Sequence, residues 1–287
     1  MSLSLTRSLK RLRYRYRDYP EREITLKHLP RFRFSTHIER DDYVSTNIRD
    51  QGLWEPFETD LFLGQIASGD TVVDIGANIG WYSVLASLQA GPGGSVLSFE
   101  PSDENFAILA RNLRRNGLTN VHAYRAAIGS EDTKGELYLS ETNRGDHQLN
   151  SPDDTRSSEK VSVRSLAGVL RGLKSRPSVL KIDTQGSEQR ILQTVSPSDL
   201  SDTTIFIEFW PHGLTRSGSS VDGLLGILSS LGHGIFIIDH GTPSLVRASV
   251  EELKRRAVDD LRPETMTFVD LFCLPAGREL PERVQAR

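Results

Sequence analysis

Short apolar runs alternate with longer segments that carry apolar residues at helical spacing over most of this chain. Such runs, bounded by turn residues, are typical of buried strands, and the longer segments are typical of the helices that cover them. The predicted helices span residues 54–66, 81–86, 103–116, 165–173, 187–195 and 221–231. The predicted strands are residues 71–75, a run ending at 99, and residues 121–126, 136–139, 160–163, 179–183, 204–209, 234–239 and 266–274. This alternation predicts an α/β fold, in which a mostly parallel sheet is covered by helices on both faces.

The N-terminal part differs from this pattern. Six basic residues alternate with leucines and tyrosines between residues 7 and 17, and short apolar–polar alternations over residues 24–49 predict short strands. Charge runs of this kind are usually solvated tails, and contact with an anionic surface or a partner is the alternative. We therefore expect a basic arm and cap segment over residues 1–53 and a catalytic domain over residues 54–287. A polar loop over residues 140–159 is too long for a plain connection and is expected to be functional.

Composition narrows the class of protein. The chain has 287 residues, of which 37% are hydrophobic and 25% are charged, as in soluble globular proteins. The net charge of −3 gives no general attraction to nucleic acid. No apolar run reaches the roughly 20 residues of a membrane span, and the N-terminus lacks the apolar core of a secretory signal. The single cysteine, Cys273, lies in an apolar run and is expected to be buried, which fits a cytoplasmic protein.

A glycine-rich turn follows the first predicted strand of the domain. The strand ends in Asp74, and the turn contains Gly76, Ala77, Asn78 and Gly80 before a helix begins. Gly76 would let the backbone approach a ligand, and Gly80 would let the helix pack closely. Strand, turn and helix in this order predict a nucleotide or nucleoside site. The alternative is an ordinary strand–turn–helix unit in which the glycines only shape the turn.

Two carboxylates indicate which ligand the turn binds. Glu100 ends the second strand, where an acid can accept hydrogen bonds from both ribose hydroxyls. Dinucleotide enzymes use the spacing G-x-G-x-x-G and place a pyrophosphate on the helix N-terminus. Here the spacing is D-x-G-x-x-x-G, and Asp74 would repel a pyrophosphate but suit a cationic ligand. The two acids therefore favour S-adenosylmethionine, which carries an ammonium and a sulfonium group, over a nicotinamide dinucleotide.

A second group of polar residues is expected at the same edge of the sheet. Asp183 and Glu208 end two neighbouring strands, and His147 lies in the long polar loop. Any of the three could take a proton from a methyl acceptor, so all three are candidate catalytic residues. The alternatives are a helix-capping role for Asp183, a structural acid at Glu208 and an exposed histidine without a role at position 147. A metal site built from Asp183, Glu208 and a histidine is a further alternative, but no ligand spacing typical of a metal site occurs, so no metal is assigned.

These blocks resemble a known family. Residues 74–82, the Phe99-Glu100-Pro101 segment and residues 181–188 are similar to the hallmark blocks of the FkbM-type methyltransferases. The resemblance implies a class I methyltransferase fold, with a sheet of about seven strands whose last strand is antiparallel. Family members commonly carry valine and glutamate after the aspartate of the last block, where this chain has Thr184 and Gln185.

The resemblance also implies roles for residues. Asp74 and three residues of the turn (Gly76, Asn78 and Gly80) would hold the methionine end of the cofactor, with Ala77 and Pro101 beside it. Glu100 would hold the ribose, and Ala127 would face the adenine. Asp183 is then the preferred catalytic residue.

The implied reaction is methylation of a hydroxyl group on a sugar, glycolipid or natural product. The alternatives are an N- or carboxyl-methyltransferase on the same scaffold and an inactive methyltransferase-like binding subunit. The expected partner is a small-molecule or glycan acceptor, with no nucleic acid, and the chain could form a homo-oligomer.

Overall fold

A computed structural model describes residues 14, 17–38, 43–139, 147, 149, 157–261 and 267–280. The strands are β1 Glu21–Ile24, β2 Phe32–Ser35, β3 Thr71–Ile75, β4 Ser95–Phe99, β5 Val121–Tyr124, β6 Ala126–Gly129, β7 Thr133–Tyr138, β8 Ser158–Ser165, β9 Val179–Ile182, β10 Thr204–Phe209, β11 Gly234–Asp239, β12 Ser244–Arg247 and β13 Val269–Leu274. The helices are α1 Tyr43–Gln51, α2 Pro56–Leu63, α3 Trp81–Ala90, α4 Asp103–Arg115, α5 Leu166–Arg171, α6 Glu188–Leu192, α7 Pro211–Arg216, α8 Val221–Ser230 and α9 Val250–Asp259. In this described part of the chain, none of the helices has the length and apolar character of a membrane span.

The large sheet has eight strands in the order β12-β11-β13-β10-β9-β3-β4-β5. Strands β10, β9, β3, β4 and β5 are parallel to one another, and β13 runs antiparallel between β10 and β11. The expected class I methyltransferase fold is therefore confirmed, with its antiparallel last strand. The additional strand, β12, is a short edge strand that pairs antiparallel with β11.

Both faces of the sheet are covered. Val72 and Val73 are adjacent in β3, and because successive strand residues point to opposite faces, they lie in different apolar clusters. One cluster contains residues of α3 and α4, and the other contains residues of α6, α8 and α9. Cys273 is fully buried in β13, as its apolar surroundings predict. Because β3, β4, β5, β9 and β10 are parallel, they end at the same edge of the sheet, and the loops that follow them meet there.

The strand predicted at residues 121–126 is divided in the structure. Strand β5 ends at Tyr124, and β6 begins at Ala126 and pairs with β8 in a separate three-stranded sheet. The break falls at Arg125, whose guanidinium lies 2.9 Å from the Asp103 carboxylate at the start of α4. The chain therefore leaves the large sheet at this ion pair.

The N-terminal segment packs on the same core. Ile24, Phe34 and Ile48 are fully buried in the cluster that contains α3 and α4. The strand prediction for residues 24–49 is right for β2 but wrong from Tyr43 onward, where α1 forms. Of the basic arm, Arg17 is described and pairs with Glu104 at 2.8 Å, whereas residues 7–13 and 15–16 lie outside the described residues. The same is true of most of the loop predicted at residues 140–159.

The glycine turn before α6 packs closely against α7 at the carboxyl edge of the sheet. Gly186 has φ +109°, and a Cβ at this position would overlap the backbone of Gly213 in α7. The backbone conformation and the close contact both require glycine there.

We expect Gly186→Ala to lower the free energy of unfolding by at least about 2 kcal/mol, because the left-handed conformation and the overlap both disfavour a side chain. Gly226→Ala in α8 is the control, since nothing lies within 4 Å of a Cβ there. It should raise stability by up to about 1 kcal/mol through its better helix propensity. Urea unfolding of both variants measures the difference, and equal midpoints for Gly186→Ala and the unmodified chain would contradict this packing.

Candidate active site

A cavity of about 410 Å³ opens at the carboxyl edge of the parallel strands. The turn after β3, the end of β4, the start of β6 and the ends of β9 and β10 all contribute to its wall. Tyr43, Val44 and Trp54 line it from the N-terminal side. Its volume is in the range typical of small-molecule sites.

The glycine turn contacts both strands next to β3, namely β4 and β9. The backbone N–H groups of Gly76 and Ala77 donate to the Phe99 carbonyl, each at 3.0 Å. Gly76 has φ +83°, and a Cβ there would overlap the carbonyl oxygen of Asp183. The turn thus lies directly against the end of β9, which carries the candidate catalytic aspartate.

Two residues of the turn differ in how they meet the cavity. Asn78 lines it, and its buried Oδ1 has no hydrogen-bond partner among the described residues. Gly80 lies outside the cavity wall, where a Cβ would overlap the Leu109 side chain. Gly80 therefore allows the start of α3 to approach α4, a packing role, whereas Asn78 presents an unsatisfied acceptor to a ligand.

Asp74 is buried at the end of β3 and lines the cavity. The Ser83 hydroxyl of α3 donates to its Oδ2 at 2.6 Å. Burial raises the pKa of Asp74 to about 6, and the Ser83 hydrogen bond acts in the opposite direction. A cation in the cavity would lower this pKa and would be stabilised in return.

Glu100 is held in place by several donors. Its Oε2 accepts from the Asn78 N–H and its Oε1 from the Ser102 N–H, both at 2.9 Å, while the Asn105 side-chain amide lies 3.5 Å from Oε1. Burial raises the pKa of Glu100 to about 8, although these donors oppose the shift. Pro101 and Ala127 line the cavity beside it.

These residues fit a nucleoside with a cationic amino-acid end. Gly76 lines the cavity, and the Oδ1 atom of Asn78 is an acceptor without a partner among the described residues. Glu100 lies at the end of β4 for the ribose, and Ala127, Ile128 and Leu137 supply an apolar wall for a base. Asp74, just before the turn, adds a carboxylate to the same cavity.

Asp183 and Glu208 come together at the ends of β9 and β10. The Gln185 side-chain amide bridges them, with its Nε2 2.9 Å from Asp183 Oδ1 and 3.0 Å from Glu208 Oε1. Gln185 has φ +57°, a strained conformation for a residue with a side chain. Burial, and then repulsion from Asp183, raises the pKa of Glu208 well above its ordinary value.

The capping role considered for Asp183 belongs to another residue. The N–H groups of Thr184 and Gly186 donate to Glu188 Oε1, both at 3.1 Å, so Glu188 closes this turn. The Asp183 side chain is instead 39% exposed and lines the cavity. Burial of the cavity wall raises the pKa of Asp183, and the ammonium of Lys181 acts against this.

His147 of the long loop also lines the cavity, together with Leu149. His212 comes shortly after Glu208 in the sequence but does not line the cavity. It packs against Trp210, with the ring centroids 5.4 Å apart. The structure therefore brings Asp183, Glu208 and His147 to one cavity.

Sequence reasoning missed a buried ion pair behind this wall. Lys181 Nζ lies 2.9 Å from Glu58 Oε1 and 4.4 Å from the centre of the Tyr82 ring, and the Tyr82 hydroxyl donates to Glu55 at 2.7 Å. Burial opposes the charge on Lys181, but the surrounding carboxylates, Glu58 foremost, raise its pKa well above the usual range. Lys181 was visible in the family block, but its partner lies 123 residues earlier in the chain.

Comparison with known proteins agrees with this geometry. The methyltransferase FkbM domain family matches residues 74–234. The chain is 27% identical over 227 residues to 31-O-demethyl-FK506 methyltransferase FkbM of Streptomyces tacrolimicus, covering 67% of this chain and 82% of that protein. It is 25% identical over 152 residues to hexuronic acid methyltransferase AglP of Haloferax volcanii, covering 52% and 59%. Methyltransferase sdnD of Sordaria araneosa is 25% identical over 208 residues, covering 60% and 80%.

The matched domain includes the glycine turn, Glu100, Asp183 and Glu208, and it spans more than half of the chain. The cavity at the carboxyl edge fits the cofactor that this domain implies. The protein belongs to the FkbM methyltransferase family and is an S-adenosylmethionine-dependent methyltransferase.

Proposed function

We propose that this enzyme methylates a hydroxyl group of a sugar, glycolipid or other natural product. The observation that carries the proposal is the pair of carboxylates bridged by Gln185, which lines the same cavity as the glycine turn and Glu100. An alcohol needs a group to take its proton, and a carboxylate beside the transferable methyl group can do so. The names of two relatives, a demethyl-FK506 31-O-methyltransferase and a hexuronic acid methyltransferase, are in keeping with such acceptors.

The cofactor residues have separate tasks in this proposal. When bound, S-adenosylmethionine supplies a methyl group activated by its sulfonium. Asp74 and the turn from Gly76 to Asn78 hold the cationic amino-acid end, and Glu100 accepts hydrogen bonds from the ribose. Ala127 and Pro101 pack beside the nucleoside.

The acceptor side of the cavity combines aromatic and acidic groups. Tyr43, Trp54 and Phe268 provide flat apolar surfaces of the kind that pack against sugar rings or polyketide chains, and Asp183 lies on the same cavity wall. We assign the proton of the acceptor hydroxyl to an Asp183 carboxylate oxygen. The hydrogen bond from Gln185 keeps this carboxylate in one orientation. Glu208 supports Gln185 from the other side, and His147 is the second candidate base.

An amine acceptor is the alternative that one observation favours. Among the described residues, the cavity wall contains Asp183, Glu208, Asp270 and Glu55 but one lysine, Lys181, so a cationic acceptor would gain favourable charge interactions. Incubation with S-adenosylmethionine carrying a deuterated methyl group, followed by mass spectrometry of the products, separates the two reactions. Label on an oxygen of a sugar or natural product supports the proposal, and label only on nitrogen would overturn it.

The first prediction for this site concerns Asp183. Asp183→Asn keeps the size of the side chain and its acceptor oxygen but removes the base, so we expect unchanged cofactor affinity and a rate at least about 100-fold lower. Single-turnover measurements with the acceptor found by labelling test this. Asp202→Asn, an exposed acid paired with Arg176, is the control. A rate within a few-fold of the unmodified enzyme would transfer the role to His147.

The second prediction concerns the charge of Glu100. Because its pKa is about 8, the Glu100 carboxyl of the ligand-free enzyme is mostly protonated at pH 7. Ribose hydroxyls bind the ionised carboxylate best. Affinity should therefore rise by up to about tenfold between pH 7 and pH 9, with release of a proton on binding. Methylthioadenosine is the ligand of choice, because it has the nucleoside but lacks the titratable amino-acid end.

Calorimetry in buffers of different ionisation enthalpy measures both the affinity and the released proton. Glu100→Gln should bind the nucleoside more weakly at pH 9 and lose the pH dependence, while the exposed Glu136→Gln should behave as the unmodified enzyme. Equal pH dependence in Glu100→Gln and the unmodified enzyme would show that another group titrates.

A further inference from the structure

Four side chains of the kinds that can bind a metal ion come together beside the cavity. They are Glu55 and Glu58 at the start of α2, His240 just after β11 and Asp270 near the start of β13. One ligand atom from each lies within 4.8 Å of all the others. The carboxyl end of β11 and the amino end of the antiparallel β13 lie at the same edge of the sheet, so the fold itself brings His240 and Asp270 together.

One carboxylate oxygen of this cluster, Glu58 Oε2, accepts no hydrogen bond from the described residues. Glu58 is 1% exposed, and its Oε2 has no hydrogen-bond partner among the described residues. This oxygen points toward His240, whose Nε2 is 3.8 Å away. A buried carboxylate oxygen without a donor is costly, which indicates that the site is completed by a ligand that supplies positive charge.

Lys181 does not meet this need. Its ammonium is bonded to the other oxygen of Glu58, at 2.9 Å, and packs over the Tyr82 ring. It also faces Asp183, whose Oδ2 is 4.0 Å away. One lysine therefore serves two carboxylates and leaves Glu58 Oε2 and Asp270 facing His240.

The charge of the cluster points in the same direction. Three carboxylates share a small volume, and burial together with their mutual repulsion raises the pKa values of Glu55 and Glu58. His240 lies 3.0 Å from Asp270, and this hydrogen bond raises the pKa of its imidazole. A divalent cation would offset the repulsion that a single imidazolium only partly relieves.

We propose that Glu55, Glu58, His240 and Asp270 bind one divalent metal ion. Carboxylate oxygens suit Mn²⁺ and Mg²⁺, and an imidazole adds affinity for Mn²⁺ and Zn²⁺ over Mg²⁺. Ligand atoms bound at about 2.1 Å to one ion are about 3 to 4 Å apart, so the cluster needs only small side-chain movements. The ligands come from three separate segments of the chain, which is why no spacing in the sequence predicts the site.

The site borders the space assigned to the acceptor. Glu55 and Asp270 line the cavity as well as the cluster, and Asp270 is the cross-strand partner of Glu208. An ion held there would border the cavity through these two residues. It would attract oxygen atoms of an acceptor to a wall that is otherwise strongly acidic.

Metal titration of the purified full-length chain tests this directly. After removal of metals with a chelator, Mn²⁺ is added alone and followed by loss of the free-ion electron paramagnetic resonance signal, and Zn²⁺ is added alone in calorimetry. We expect one ion of at least one kind to bind per chain, and His240→Ala and Asp270→Asn each to weaken binding at least about tenfold. The controls are His122→Ala and Asp202→Asn, which lie outside the cluster and should bind as the unmodified chain does.

Neither cofactor nor acceptor is present in this titration, so its failure would leave the methyl-transfer proposal standing. The partly exposed His240 makes His240→Ala the variant least prone to misfold, and thermal unfolding without metal checks each variant. Should Asp270→Asn fail this check, Glu55→Gln takes its place. The proposal is overturned if neither ion binds up to about 1 mM, or if the ligand variants bind as tightly as the controls.

Discussion

The contact between the glycine turn and the end of β9 is the constraint on which the active site depends. The backbone of Gly76 lies against the carbonyl of Asp183, at a distance that no side chain would allow. Backbone hydrogen bonds hold the same turn to β4 through Phe99. Backbone contacts therefore fix the position of the cofactor residues relative to the candidate base. A shift of β4 or β9 would move the proposed cofactor site away from Asp183.

Several carboxylates line the cavity, and their burial has a structural cost. Burial raises the pKa values of Asp74, Glu100 and Glu208. Binding of a cationic cofactor relieves part of this cost on the turn side. On the acceptor side, Gln185 and Lys181 provide hydrogen bonds and one positive charge. The same acidity underlies both the methyl-transfer proposal and the proposed metal site.

Local patterns could be predicted from the sequence, and contacts between distant segments could not. The turn at residues 74–80 and the acids that end β4, β9 and β10 are consecutive with their strands, so the fold class was enough to place them at one edge. Glu58 pairs with Lys181 across 123 residues, and His240 meets Asp270 across 30, distances at which no periodic pattern exists. Helix α1 was mistaken for strand because its one fully buried apolar residue, Ile48, gives little helical periodicity.

We propose that one cavity holds the cofactor on the glycine turn, with its reactive end toward Asp183. A crystal structure of the enzyme with S-adenosylhomocysteine, the product that remains after methyl transfer, tests it most directly. We expect the ribose hydroxyls to bind Glu100, the amino-acid end to lie beside Asp74 and Asn78, and the sulfur to face Asp183 and Gln185. A ligand bound outside this cavity, or one whose sulfur faces away from Asp183, would contradict it.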